Sequence, residues 1–164
     1  MMGFIRTSLL VSAAALVFVL VGCGDSSSST GLSDKTKPGE ANYVPGDSKG
    51  AAYVRNRRCG SCHTEDESKP LAGTNHKLTG LADQFALYPP NLTPDKTTGI
   101  GNWTDAQLTE AIRNGVDDKG TYLCPQMKHF GDMSDEEVTA IIGYLRGLPP
   151  VNHVVSHSIC PPLK

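Results

Sequence analysis

Large rings that could fill a core are scarce. Phe, Trp and Tyr make up 6% of the 164 residues, with a single tryptophan. Glycine (17) and proline (11) are plentiful, so a chain of one-domain length should have a small core and long loops. Basic charge is not in excess: 15 Lys and Arg face 17 Asp and Glu, for a formal charge of −2. That excludes the electrostatic footprint of a nucleic-acid binder. Among the five cysteines, no βαβ pattern surrounds a Cys-x-x-Cys pair, which argues against a thioredoxin-like dithiol. No second Cys/His pair stands at ligand spacing, because Cys124 and Cys160 are isolated, and a structural zinc site needs one. No acid–base or nucleophile constellation is legible.

What is present is Cys59-Gly60-Ser61-Cys62-His63. Two cysteines three apart, with histidine directly after the second, read as a c-type heme attachment site. Each thiol adds across one heme vinyl group, and the adjacent His63 is held against the iron as the proximal ligand. Gly60 and Ser61 are small enough for the backbone to turn beneath a porphyrin edge. A buried porphyrin would also supply the apolar volume that the composition does not.

This motif resembles the monoheme c-type cytochrome family, the class I cytochrome c domain. Pro89-Pro90-Asn91-Leu92-Thr93-Pro94-Asp95 and Thr97-Thr98-Gly99-Ile100-Gly101-Asn102-Trp103 resemble cytochrome subunits of membrane-linked dehydrogenases, such as those oxidising alcohols or aldehydes. The resemblance implies an all-α class I cytochrome c fold, three to five short helices around one covalent heme c. It places Asn91 and Trp103 near the heme and its propionates. It also places Gly50 and Tyr53 where the first helix crosses the last.

The second iron ligand has several candidates: Met127, Met133, His129, His76, His153 and His157. Met133 is already explained as the residue before an N-cap, positioned to staple to Val138. The histidines other than His129 read as solvent residues in loops. Met127 sits in a Pro-stiffened loop between two expected helices, where the family resemblance places its methionine ligand. His129 stays open as the alternative.

Met1 to Gly22 reads as a secretory signal, with Arg6 as its positive end and an apolar run from Leu9 to Val21. It ends in Leu20-Val21-Gly22-Cys23, which is similar to a bacterial lipobox, so Cys23 is the expected lipidation site. The alternative is an ordinary signal peptide with an incidental cysteine. Two or three acyl chains anchor stably where one does not. The chain therefore divides into a lipoprotein signal peptide (1–22), a flexible membrane tether (23–46) and a cytochrome c domain (47–164). Export places the protein on a membrane facing the periplasm or the cell exterior. There Cys124 and Cys160 form an even pair in an oxidising compartment, and a disulfide between them is expected. Two free thiols or a bridge to another chain remain the alternatives.

Inside the domain, Asp47 or Ser48 can cap a helix running to about Arg58. Arg55, Arg57 and Arg58 form either a docking patch for an acidic partner or a solvated face. A short helix is expected over Leu81–Leu87. Thr104 and Gln107 form a capping box with Trp103 and Leu108 as a staple, and the helix from Asp105 ends near Asn114 with Gly115 left-handed. Ser134 and Glu137 cap the last helix, where Val138, Ile141, Ile142 and Leu145 repeat at i, i+3, i+4, i+7 before Gly147 and Pro149-Pro150 stop it. The tail to Lys164 should pack only if Cys160 pins it.

The expected function is one-electron transfer between membrane-associated redox proteins by an electron carrier that is not itself an enzyme. The partners would be a dehydrogenase, a quinol-oxidising complex or a terminal oxidase or reductase. One alternative is a dedicated electron-accepting subunit of a single dehydrogenase. Another is a heme sensor or peroxidase with an open iron position.

Overall fold

The structure is a computed structural model that describes residues 42–162. The expected signal peptide, Cys23 and the tether as far as residue 41 lie outside the described residues. Within them the all-α expectation holds. Four helices follow one another: α1 (Lys49–Asn56), α2 (Gly60–His63), α3 (Asp105–Asn114) and α4 (Asp135–Arg146). The described residues contain no strand, only isolated bridges joining Thr64 to Gly73, Ala86 to Ile159 and Val116 to Tyr122.

The caps form where side-chain chemistry predicts them. Ser48 Oγ accepts the Ala51 N–H at 3.1 Å, starting α1. Thr104 with Gln107 and Ser134 with Glu137 both close full capping boxes, each satisfying two amides that the first turn leaves without partners. Gly115 ends α3 at φ 66. The apolar stripe of α4 is buried as its period requires, and it shares one core with Ala51 and Val54 of α1 and with Leu71, Ile100, Leu108, Phe130 and Met133.

α1 and α4 cross at Gly50. A Cβ there would run into the Ala140 carbonyl and the Tyr144 Cβ, so close approach of the two helices requires glycine. The Arg146 guanidinium then reaches back to the carbonyls of Ile100 and Trp103 and to the Asp105 carboxylate. The end of α4 is thereby tied to the start of α3.

Two stretches differ from expectation. Residues 81–87 form no helix. Gly80 turns the chain at φ 81, and the backbone groups are committed elsewhere: Leu78 N–H to Leu87, and Ala86 to Ile159. Residues 42–46, expected as the end of the tether, are packed onto the domain. Val44 is fully buried, Arg55 donates to the carbonyls of Val44 (3.0 Å) and Gly46 (2.8 Å), and the Tyr144 hydroxyl donates to Pro45 at 2.9 Å. A buried guanidinium needs such acceptors, and this arm provides them.

Candidate heme site

α1 ends at Asn56, and Arg58 adopts the left-handed conformation (φ 59). That reversal starts the single turn α2. Within it the His63 N–H donates to the Cys59 carbonyl at 3.0 Å, as does that of Cys62 at 3.3 Å. One helical turn places residues i, i+3 and i+4 on one face, which is the reason for the spacing of Cys59, Cys62 and His63. The two thiols are unpaired. Cys59 packs against the core, where desolvation pushes its thiol up to about 11, while Cys62 is exposed.

His63 is 6% exposed. Its Nδ1 lies 2.8 Å from the Pro90 carbonyl oxygen. A carbonyl only accepts, so Nδ1 carries the proton and Nε2 keeps its lone pair. Burial lowers the pKa of the imidazole, favouring the neutral form that ligates metal. Two separate thiols and a neutral, oriented imidazole on one turn are the donor set that covalent heme c requires.

The Pro90 acceptor is itself held. Asn91, 2% exposed, donates to Thr98 Oγ1 (3.1 Å) and to the Val151 carbonyl (2.8 Å). Its Oδ1 accepts the Thr93 amide (2.9 Å) and hydroxyl (2.8 Å). The family resemblance placed Asn91 near the heme. In the structure its amide is occupied by protein partners, and what it does is fix the loop that orients His63.

Met127 is half-buried in the loop between α3 and α4 and packs on the same core cluster as Cys59, Leu92 and Trp103. Its N–H donates to the Cys124 carbonyl at 2.9 Å. Cys124 is disulfide-bonded to Cys160, with their Cα atoms 5.1 Å apart. The other candidates sit differently. Met133 is 4% exposed inside the core with Val138. His129 is exposed and lies over Gly115. His76 is paired with Glu65 at 3.5 Å. His153 uses Nδ1 on the Ala72 carbonyl and Nε2 against Asn75.

The arginine patch is mostly consumed internally. Arg55 holds the arm, and Arg57 pairs with Asp132 (2.9 Å) and Glu137 (3.3 Å). Sequence reasoning missed the arm's role. A Cβ on Gly60 would meet the Tyr43 carbonyl and Val44, so the arm rests directly on the attachment turn, and Gly60 is small for that packing. The one available signal was an apolar Tyr43-Val44 pair in a polar stretch. Among the described residues, no His/Cys/Asp/Glu group of three or more could hold a separate metal ion. None of their helices is long and apolar enough to cross a membrane.

A sequence model of the family described as cytochrome C oxidase, cbb3-type, subunit III, matches residues 47–145, which include Cys59, Cys62, His63 and Met127. The chain is 34% identical over 106 residues to the gluconate 2-dehydrogenase cytochrome c subunit of Pantoea cypripedii, covering 63% of this chain and 23% of that protein. It is 35% identical over 106 residues to the alcohol dehydrogenase (quinone) cytochrome c subunit of Gluconacetobacter polyoxogenes, covering 63% and 22%. It is 28% identical over 138 residues to the fructose dehydrogenase cytochrome subunit of Gluconobacter japonicus, covering 82% and 27%. The chain spans about a quarter of the length of these relatives. With an all-helical fold, the attachment turn in place and a match over more than half its length, the chain belongs to the cytochrome c family described as cytochrome C oxidase, cbb3-type, subunit III, whose members carry covalent heme c.

Proposed function

We propose that the protein is an exported, lipid-anchored monoheme cytochrome c that passes single electrons between membrane-associated redox proteins. The observation that carries this reading is the buried His63, neutral and held through Nδ1, on one turn with two unpaired thiols. Heme c bound there supplies a one-electron iron couple. Cys59 and Cys62 would hold it through thioether bonds, and His63 and Met127 would ligate its iron. A thioether is soft and favours Fe(II), so Met127 raises the potential relative to a second histidine. With side chains as both iron ligands, such a heme would carry electrons rather than bind a substrate, and we read the chain as a carrier and not an enzyme. The single Cys-x-x-Cys-His in the sequence supports one heme.

The anchor rests on Cys23 after the lipobox-like run, with residues 24–41 as the tether. Donor and acceptor are drawn from dehydrogenases, quinol-oxidising complexes and terminal oxidases or reductases. A more specific reading, a dedicated electron-accepting subunit of one dehydrogenase, is favoured by the relatives named as dehydrogenase cytochrome subunits.

Absorption spectroscopy of the purified protein tests the core of the proposal. The expected result is a low-spin ferric spectrum with the weak red band of a methionine–iron bond. A high-spin ferric spectrum with fast carbon monoxide binding to the reduced form would move the reading to a sensor or peroxidase. Purification from native membranes then separates a general carrier from a subunit, because only a subunit co-purifies with one dehydrogenase. Cys23→Ser should release the protein into the soluble exported fraction. Retention on membranes after a salt wash would refute the anchor.

A further inference from the structure

Residues 149–162 follow α4 without repeating structure, yet they are hydrogen-bonded along their length. The Val151 N–H donates to Thr93 Oγ1 at 3.1 Å, and its carbonyl accepts from Asn91 at 2.8 Å. The His153 N–H donates to Thr98 Oγ1 (3.0 Å) and the Ser156 N–H to Asn75 Oδ1 (2.8 Å). The Tyr88 N–H donates to Ser158 Oγ at 2.9 Å, and Ile159 exchanges both backbone bonds with Ala86. The next residue is Cys160, bonded to Cys124.

The Met127 turn is tied down quite differently. Leu123 is bonded to Gly115 and Phe130 to Ile112. Between them, among the described residues, the backbone N–H groups make one protein bond, from Met127 to Cys124 inside the turn itself. Between those two flanking bonds, the disulfide at Cys124 is the covalent tie, added to the packing of Met127 on the core, between this turn and the C-terminal segment. A loop held at two ends samples many positions, and a thioether ligand must stay within bonding reach to compete with exogenous ligands.

We propose that the C-terminal strap, closed by Cys124–Cys160, is a positioning element that holds Met127 in place and ties it to the Pro90–Asn91 loop orienting His63. This rests on the reading of Met127 as an iron ligand. One continuous strap thus begins beside the acceptor of the proximal histidine and ends three residues before the distal sulfur. Opening the bond frees the distal turn and leaves the His63 side intact.

The test uses the mature holoprotein, so that heme attachment does not depend on the disulfide. Dithiothreitol opens the bond by thiol–disulfide exchange: two electrons pass from the dithiol, which closes to its cyclic disulfide, and Cys124 and Cys160 leave as thiols. Thiol alkylation counts the product. Carbon monoxide should then bind the ferrous protein at least about tenfold faster, and amide exchange at Met127 should rise by a similar factor. Amides within α1 and α4 should change little, and reoxidation should restore the slow rate. A Cys124→Ser/Cys160→Ser protein should behave as the reduced form does.

Two free thiols with an unchanged carbon monoxide rate overturn the proposal, even if the reduced protein unfolds at lower denaturant. Met127→Ala separates the two ways to fail. If that variant binds carbon monoxide no faster than the unmodified protein, the ligand reading is wrong and the strap proposal falls with it. If Met127→Ala is fast while reduction has no effect, the strap alone is wrong.

Discussion

His63 and Met127 are held by opposite means. His63 sits in a turn where its own amide and that of Cys62 bond back to the Cys59 carbonyl, while its carbonyl accepts the Gly73 N–H and its Nδ1 reaches Pro90, and it is almost fully buried. Met127 is half-buried in a loop held by backbone bonds at its two ends and by a disulfide across 36 residues. On the proposed reading, His63 is brought to the heme by its neighbouring attachment cysteines, and the distant Pro90 carbonyl fixes only its ring. A ligand on the far loop depends on the whole chain being folded. The two sides should therefore respond differently to the same perturbation.

The largest expected effect is on the local side. Cys59→Ala with Cys62→Ala removes both thioether anchors, and covalent heme should be lost completely, as read by the mass of the intact protein. Heme retained through denaturation in that variant would break the comparison at its root. On the distal side, Met127→Ala should keep the heme attached, abolish the red band, lower the potential and speed carbon monoxide binding more than about tenfold.

Met133→Ala sharpens the contrast between the two methionines. Met133 is a buried core residue, so its loss should cost about 2–5 kcal/mol, more than a lost staple alone. The denaturation midpoint should fall while the spectrum stays unchanged. A changed spectrum would mean that the ligand and the core residue were assigned the wrong way round. Ser134→Ala removes the α4 cap and should cost about 1 kcal/mol, again without a spectral change.

The smallest effect is with acid. Asp95 accepts from the Thr98 amide (2.7 Å) and hydroxyl (2.8 Å) and from the Thr97 amide (3.0 Å). These bonds, those to Thr98 foremost, hold its carboxyl below the usual value. A depressed folded-state pKa means that the contribution is present above the unfolded carboxylate range and is lost as pH falls through the folded value. Carboxyl chemical shifts followed against pH should show Asp95 titrating later than an exposed carboxylate. Asp95→Asn should remove that part of the acid sensitivity.

Helices α3 and α4 were legible because their signals are local. A capping box spans four residues, and an apolar stripe repeats every turn. The attachment turn was legible for the same reason, since thiols and imidazole must share a face. The arm at 42–46, the missing helix at 81–87 and the Pro90 acceptor were not. Each depends on a partner far along the chain: Arg55 and Tyr144 for the arm, Ile159 for Ala86, Val151 for the Asn91 that steadies Pro90. No periodicity reports such pairings, because the groups involved are single backbone carbonyls and amides.

The sequence by itself determined the heme-attachment motif with its adjoining histidine, the capped helices and the pair of cysteines, Cys124 and Cys160, left over for a disulfide. Tertiary structure decided that Cys124 meets Cys160, that Met127 lies at the edge of the core while Met133 lies inside it, and that Nδ1 of His63 is the nitrogen that is occupied. The division follows the range of the interactions. Covalent spacing and helical period act within a few residues and are written in order, whereas burial and long-range bonding exist only once distant segments have met.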